Sequence, residues 1–207
     1  MIRTVKVKDV FETFCYFYIN EKTKHGFIID PGAEPDRLLT MIRENGWVVE
    51  KILLTHGHFD HTGAVQKISE ELQIPYMIHE NGGRYLKDTR QNLSAYCGRW
   101  SMLEEAVYLK DGEAVQSKSD PGCSLQVLHT PGHTTDSVVF YNQQESIAFV
   151  GDTIFKGNIG NAGYPGGNMR QLQKSIVNRI FSLPADTVLY SGHSEKTTVG
   201  TELCRYM

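Results

Sequence analysis

Apolar residues along this chain follow two periods, and the switching between them predicts the elements. Residues 2–9, 14–20 and 25–30 are apolar or alternating over strand-length stretches. Asn20-Glu21-Lys22-Thr23 supplies a turn and Pro31-Gly32 a break, so the three read as a meander of strands. From about Glu34 to Asn45 the apolar positions Leu38, Leu39 and Ile42 return at helical spacing, and Gly46 stops them. The run Lys51-Ile52-Leu53-Leu54-Thr55 is a strand. Residues 62–72 place Val65, Ile68 and Leu72 on one helix face, and residues 75–79 form the next strand.

Periodicity then fades. Residues 81–105 hold Gly82-Gly83, Asn92-Leu93-Ser94 and the aromatics Tyr96 and Trp100 without a sustained pattern. Ordinary connections are about 4–6 residues long, so this stretch is expected to be a lid-like excursion over a site, with short space-filling helices as the alternative. Strands follow near residues 106–110, 124–129, 137–141 and 146–150, then a helix near 168–182 and a strand at 187–190. Two halves, each a mixed sheet with helices outside, are expected to pack sheet to sheet as a single domain over residues 1–207.

Composition narrows the class of protein. A chain of 207 residues with 40% apolar content can bury a substantial core in one domain. A net charge of −3 argues against nucleic acid or an anionic membrane as partner, since both select basic patches. No run is long enough to span a membrane, and the alternating N-terminus lacks the apolar stretch of a signal peptide, so a cytoplasmic location is expected. The sequence leaves the oligomeric state open. Cys15, Cys97, Cys123 and Cys204 form no C-x-x-C pair and are expected to be free thiols.

The chemistry concentrates just after the strand at 51–55, in His56-Gly57-His58-Phe59-Asp60-His61. Imidazole and carboxylate are ligands that borderline divalent ions such as Zn²⁺ accept, and the spacing lets His56 and His58 face one ion while Asp60 and His61 turn toward another. Later come His133 in His129-Thr130-Pro131-Gly132-His133-Thr134, Asp152 in Gly151-Asp152-Thr153, and His193 in Ser191-Gly192-His193.

An H-x-H-x-D-H motif followed by a distant His, an Asp and a last His resembles the metallo-β-lactamase-fold superfamily. Asn92-Leu93-Ser94, Gly151-Asp152-Thr153, Tyr164-Pro165-Gly166-Gly167 and Thr197-Thr198-Val199-Gly200 make the chain look most like its short glyoxalase II-like hydrolases. The resemblance implies a four-layer αββα sandwich with a metal cleft at one edge. It assigns His56, His58 and His133 to one ion, Asp60, His61 and His193 to a second, and Asp152 to both. The cofactors it implies are two divalent metal ions, Zn in the first instance, with Fe or Mn as alternatives. Such ions lower the pKa of bound water from about 15.7 to about 7, so a metal-bridging hydroxide is the expected nucleophile and a small acyl thioester or related ester the expected substrate. Asp60 is a candidate catalytic residue, orienting that nucleophile as well as ligating.

The chain departs from the pattern at the thiol-binding positions. Asn161 stands where a basic residue is expected, and Glu195 where a tyrosine often follows the last histidine. Gly160-Asn161-Ala162-Gly163 and Asn168 replace an Arg and two Asp of the short hydrolases. The chain also stops at Met207, without the helical domain that grips glutathione in full-length glyoxalase II enzymes, so S-D-lactoylglutathione is expected to be a poor substrate. The rivals are a persulfide dioxygenase-like mono-iron oxidoreductase, a lactone hydrolase on the same fold, and a silent metal-binding protein. His25, His79 and His129 fall outside the motifs and read as structural, with His129 also weighed as a residue that orients a ligand.

Overall fold

The computed structural model describes residues 1–206, so the last residue of the expected domain, Met207, lies outside the described residues. The first sheet is built from β1 (Ile2–Lys8), β2 (Glu12–Ile19), β3 (His25–Ile29), β4 (Val48–Leu53), β5 (Tyr76–His79) and β6 (Val107–Leu109), side by side in chain order. β1 to β3 are antiparallel, and β3 to β6 run parallel. The second sheet takes β7 (Ala114–Gln116), β8 (Ser124–His129), β9 (Val138–Asn142) and β10 (Ile147–Gly151). A separate hairpin, β11 (Ile154–Phe155) and β12 (Asn158–Ile159), comes next. β13 (Val188–Ser191) and β14 (Thr197–Thr198) then complete the second sheet in the order β14-β13-β10-β9-β8-β7.

The period-two patterning sorts side chains into three cores. Along β2, Cys15 and Phe17 face α1 (Pro35–Glu44) with its Leu38, Leu39 and Ile42, whereas Tyr16 and Tyr18 face the other sheet. Along β9, Val138 and Phe140 point into that inter-sheet core, and Val139 and Tyr141 point outward to Leu172, Ile176 and Ile180. Helix, sheet, sheet and helix are therefore four layers with an apolar core at each junction, the αββα arrangement that the resemblance implied.

Four parts of the chain differ from the periodicity. The helix expected over 62–72 divides into α2 (Phe59–Thr62) and α3 (Val65–Leu72), because Ala64 N donates to Pro31 O at 2.9 Å and draws the backbone out of helical register. The helix expected over 168–182 starts as α5 (Met169–Ser175), capped where Asn168 Oδ1 accepts from Gln171 N, and widens into a π-turn at Ile176–Ile180 that keeps Ile176 and Ile180 buried. Residues 81–105 coil through α4 (Gly83–Leu86) and a 3₁₀ turn at Ser94–Cys97. Tyr96 and Trp100 stand 70% and 81% exposed, whereas Leu93 lines the cleft and the Tyr85 ring lies 6.0 Å from His58. The final helix, α6 (Val199–Tyr206), lay outside the expected elements. No helix among the described residues is long and apolar enough to cross a membrane.

Phe149 ties the two sheets together, its ring 5.3 Å from Tyr16, 6.0 Å from Tyr18 and 5.4 Å from Tyr190. Phe149→Ala is expected to cost about 3–5 kcal/mol of unfolding free energy, read by chemical denaturation.

Candidate metal centre

Strand ends deliver the clustered residues. His56 and His58 leave the end of β4, and the single turn of α2 swings Asp60 and His61 back to the same spot. His133 lies between β8 and β9, Asp152 directly after β10, and His193 directly after β13. The close approach leaves no room for a side chain at two glycines. Gly151 has φ +49°, and a Cβ there would meet Thr55 Oγ1 at 2.3 Å. A Cβ on Gly192 would meet Asp152 Oδ1 at 2.3 Å.

All seven residues singled out by the motif come together. His56, His58 and His133 offer nitrogens on one point, with His56 Nε2 and His133 Nε2 lying 3.1 and 3.0 Å from His58 Nδ1. Asp60, His61 and His193 form a second group, with His193 Nε2 3.2 Å from Asp60 Oδ2 and 3.4 Å from His61 Nε2. Asp152 lies between them: Oδ1 is 3.4 Å from His61, and Oδ2 is 3.6 Å from His133 and 3.4 Å from His193.

The outward nitrogens decide what faces inward. His133 Nδ1 donates to Asn161 O, and His193 Nδ1 donates to Glu12 O, each at 2.7 Å. A carbonyl only accepts, so both Nδ1 atoms carry a proton and both Nε2 atoms are turned to the cluster, where a bound metal ion would take the place of any proton on them. Asp30 does the same for two more rings. Its Oδ2 accepts from His61 Nδ1 at 2.9 Å and from Thr55 Oγ1 at 2.6 Å, which leaves the Thr55 oxygen to accept from His56 Nδ1 at 3.1 Å. Converging lone pairs repel unless a cation sits among them, and buried Asp152 Oδ1, which faces the cluster, has no hydrogen-bond partner among the described residues. The donor set and its outer partners fit divalent metal ions.

Electrostatics divide the cluster in the same way. Burial holds the pKa of His56 and His133 below the usual imidazole range and brings His58 down to about 3, keeping the first group neutral as ligation requires. At His61 and His193 burial also opposes charge, yet the nearby carboxylates, Asp152 foremost, outweigh it and push His193 up to about 10. Burial likewise works against the charge on Asp60 and Asp152, and the adjacent imidazoles, His61 first, hold both below the usual carboxylate range.

Asp30 is the residue that sequence reasoning passed over. It is 1% exposed, has φ +50°, and takes Thr55 N at 2.8 Å on its second oxygen. The only trace in the sequence was an acid ending an apolar strand before Pro31-Gly32. The other histidines stay apart. His129 stacks on His79 at 3.9 Å and bonds Thr135 O, and His25 pairs with Glu50. All four cysteines are free, with Cys15 and Cys123 buried.

The profile of the Metallo-beta-lactamase superfamily matches residues 9–193. A hydroxyacylglutathione hydrolase, GloC, of Haemophilus influenzae is 31% identical over 86% of this chain and 84% of its own length. Among solved structures, the BLEG-1 B3 metallo-beta-lactamase is 33% identical with a TM-score of 0.91, covering 99% of this chain and 97% of that one. TTHA1623, solved in a di-iron-bound form, is 31% identical with a TM-score of 0.85 over 97% and 96%.

Because Asp30 orients two rings at once, Asp30→Ala is expected to weaken metal retention by about 10–100-fold, measured by competition with a chelator. Unchanged retention would show that the rings are held without it.

Proposed function

Because the chain belongs to the metallo-β-lactamase superfamily, we propose that it is a hydrolase of acyl thioesters working with two divalent ions at this cluster. The observation that carries the reading is the placement of Asp152, whose Oδ2 reaches His133 of one donor group and His193 of the other. His56, His58 and His133 would hold one ion, Asp60, His61 and His193 the second, and Asp152 both. Ions held there would supply an activated water and a polarised acyl carbonyl. The similarity to a hydroxyacylglutathione hydrolase and to a di-iron protein supports this assignment.

The chain's own residues do the positioning. Asp60 lines the cleft, its Oδ2 3.4 Å from the donating Thr13 Oγ1 and 3.2 Å from His193 Nε2. A carboxylate held ionised at the cleft wall can orient a water and take its proton. Departure of a thiolate needs no dedicated acid, because thiols ionise at about pH 8.5. Thioesters therefore suit this cleft better than amides.

Protein purified without added metal is expected to carry two ions per chain by elemental analysis, and Asp152→Ala to lower the occupancy of both. One tightly held ion with full activity would overturn the two-ion reading. A panel of thioesters, a lactone and a β-lactam, run beside an oxygen electrode, tests the reaction class. Thioester turnover without oxygen uptake is expected, whereas oxygen consumed with a persulfide would favour a mono-iron dioxygenase. At full metal occupancy, Asp60→Asn is expected to lower kcat by about 10²–10⁴-fold with little change in KM. A kcat near that of the unaltered protein would remove Asp60 from the chemistry.

A further inference from the structure

Above the clustered histidines the cleft opens to about 360 Å³, and four apolar or aromatic side chains wall it: Phe11, Leu93, Phe155 and Tyr164. Each comes from a different part of the chain. Phe11 precedes β2 and packs at a tilt against Phe59, ring centres 5.9 Å apart, and Phe155 of β11 lies 6.1 Å from His193. Tyr164 stands edge-on to two clustered rings, 5.9 Å from His58 and 6.4 Å from His133. Leu93 is held in the left-handed region, at φ 72°. That conformation is unfavourable for leucine and persists where surroundings impose it. The surroundings here are Asn92, which accepts from Phe59 N at 3.0 Å through its carbonyl, donates to Ser101 O at 2.7 Å and accepts from Ser94 N at 3.0 Å.

Charge around the cleft points the same way. No lysine or arginine lines it. Among the cations near its walls, Lys6 pairs with Glu12 at 3.3 Å, Lys156 with Glu195 at 2.7 Å and Arg99 with Asp9 at 2.6 Å, while Arg84 lies over the Tyr85 ring at 5.1 Å and donates to Gln91. Asn161 of the wall is neutral and uses its Oδ1 to accept from Gly163 N. With bound ions engaged at the reacting carbonyl, an anionic tail lying along these walls would leave water without gaining a cationic side chain, whereas an uncharged group would bury against four apolar walls.

We propose that this cleft selects thioesters whose thiol side is uncharged, and that Tyr164 is the wall this side packs against. The inference rests on the thioesterase reading for the reaction, though not for the binding preference, and the two are separable by experiment. Two non-hydrolysable thioethers sharing a benzyl group, S-benzyl-N-acetylcysteamine and S-benzylglutathione, differ in the charge of the tail. Calorimetric titration of the metal-loaded protein is expected to give a Kd for the neutral compound at least about tenfold lower, indifferent to added salt. Tyr164→Ala is expected to weaken the neutral compound by about three- to tenfold and to leave S-benzylglutathione unchanged, while Tyr164→Phe retains the affinity. Tyr164 is 43% exposed on a loop, and a melting curve matching the unaltered protein confirms that the variant folds. Equal binding of the two thioethers, tighter and salt-sensitive binding of S-benzylglutathione, or a Tyr164→Ala variant that binds both as before would overturn the proposal. If the preference holds and no thioester is turned over, the reaction class falls and the selectivity stands.

Discussion

Four of the five clustered imidazoles give a hydrogen bond away from the cluster, and the rest of the site depends on those bonds. His133 and His193 donate to backbone carbonyls, His61 donates to Asp30, and His56 reaches Asp30 through Thr55. Each bond fixes a ring's angle and occupies its outward nitrogen, so the inward nitrogens face the cluster at set positions. Without those commitments the rings would share protons among themselves and close the space that an ion needs.

The sandwich exists around that requirement. Strand ends of both sheets, β4 of the first and β8, β10 and β13 of the second, release their ligands at one edge, so the two sheets must hold their relative position within a fraction of an ångström. The aromatic packing of Phe149 between Tyr16, Tyr18 and Tyr190 does much of this. Tyr16 adds a direct tie, since its hydroxyl donates to Ser191 O two residues before His193. Glycines at 151 and 192 let the second sheet's loops approach, and a methyl group at either would push Asp152 or Thr55 out of place.

The centre is polar and charged, while the approach to it is apolar. This contrast separates two tasks within one cleft. Imidazoles and carboxylates concentrate charge at the floor, and Phe11, Leu93, Phe155 and Tyr164 wall the way to it. The same metal ligands can serve many substrates, and variation in the walls redirects the site without disturbing the ligand set.

Much of this was legible in the sequence. Strand-length apolar runs placed β2, β3, β8, β9 and β10, because a strand buried between two cores is apolar on both faces, and helical spacing of Leu38, Leu39 and Ile42 placed α1. The convergence of the seven clustered residues was legible because histidines and aspartates, types able to hold a metal, follow strand ends in the sequence, four of them within His56–His61. The two- and three-residue strands β7, β11, β12 and β14 are too short to leave a period, and α6 buries Glu202 against Gly157 N and Thr197 Oγ1, which no apolar pattern announces. Asp30 meets Thr55 and His61 across 25 and 31 residues, and the cleft walls come from four distant segments. Local propensity is written in neighbouring residues and is therefore readable in order along the chain. Which outer acceptor fixes a ring, and which side chains share a wall, depend on contacts between residues far apart in the chain, and only the packed sandwich decides them.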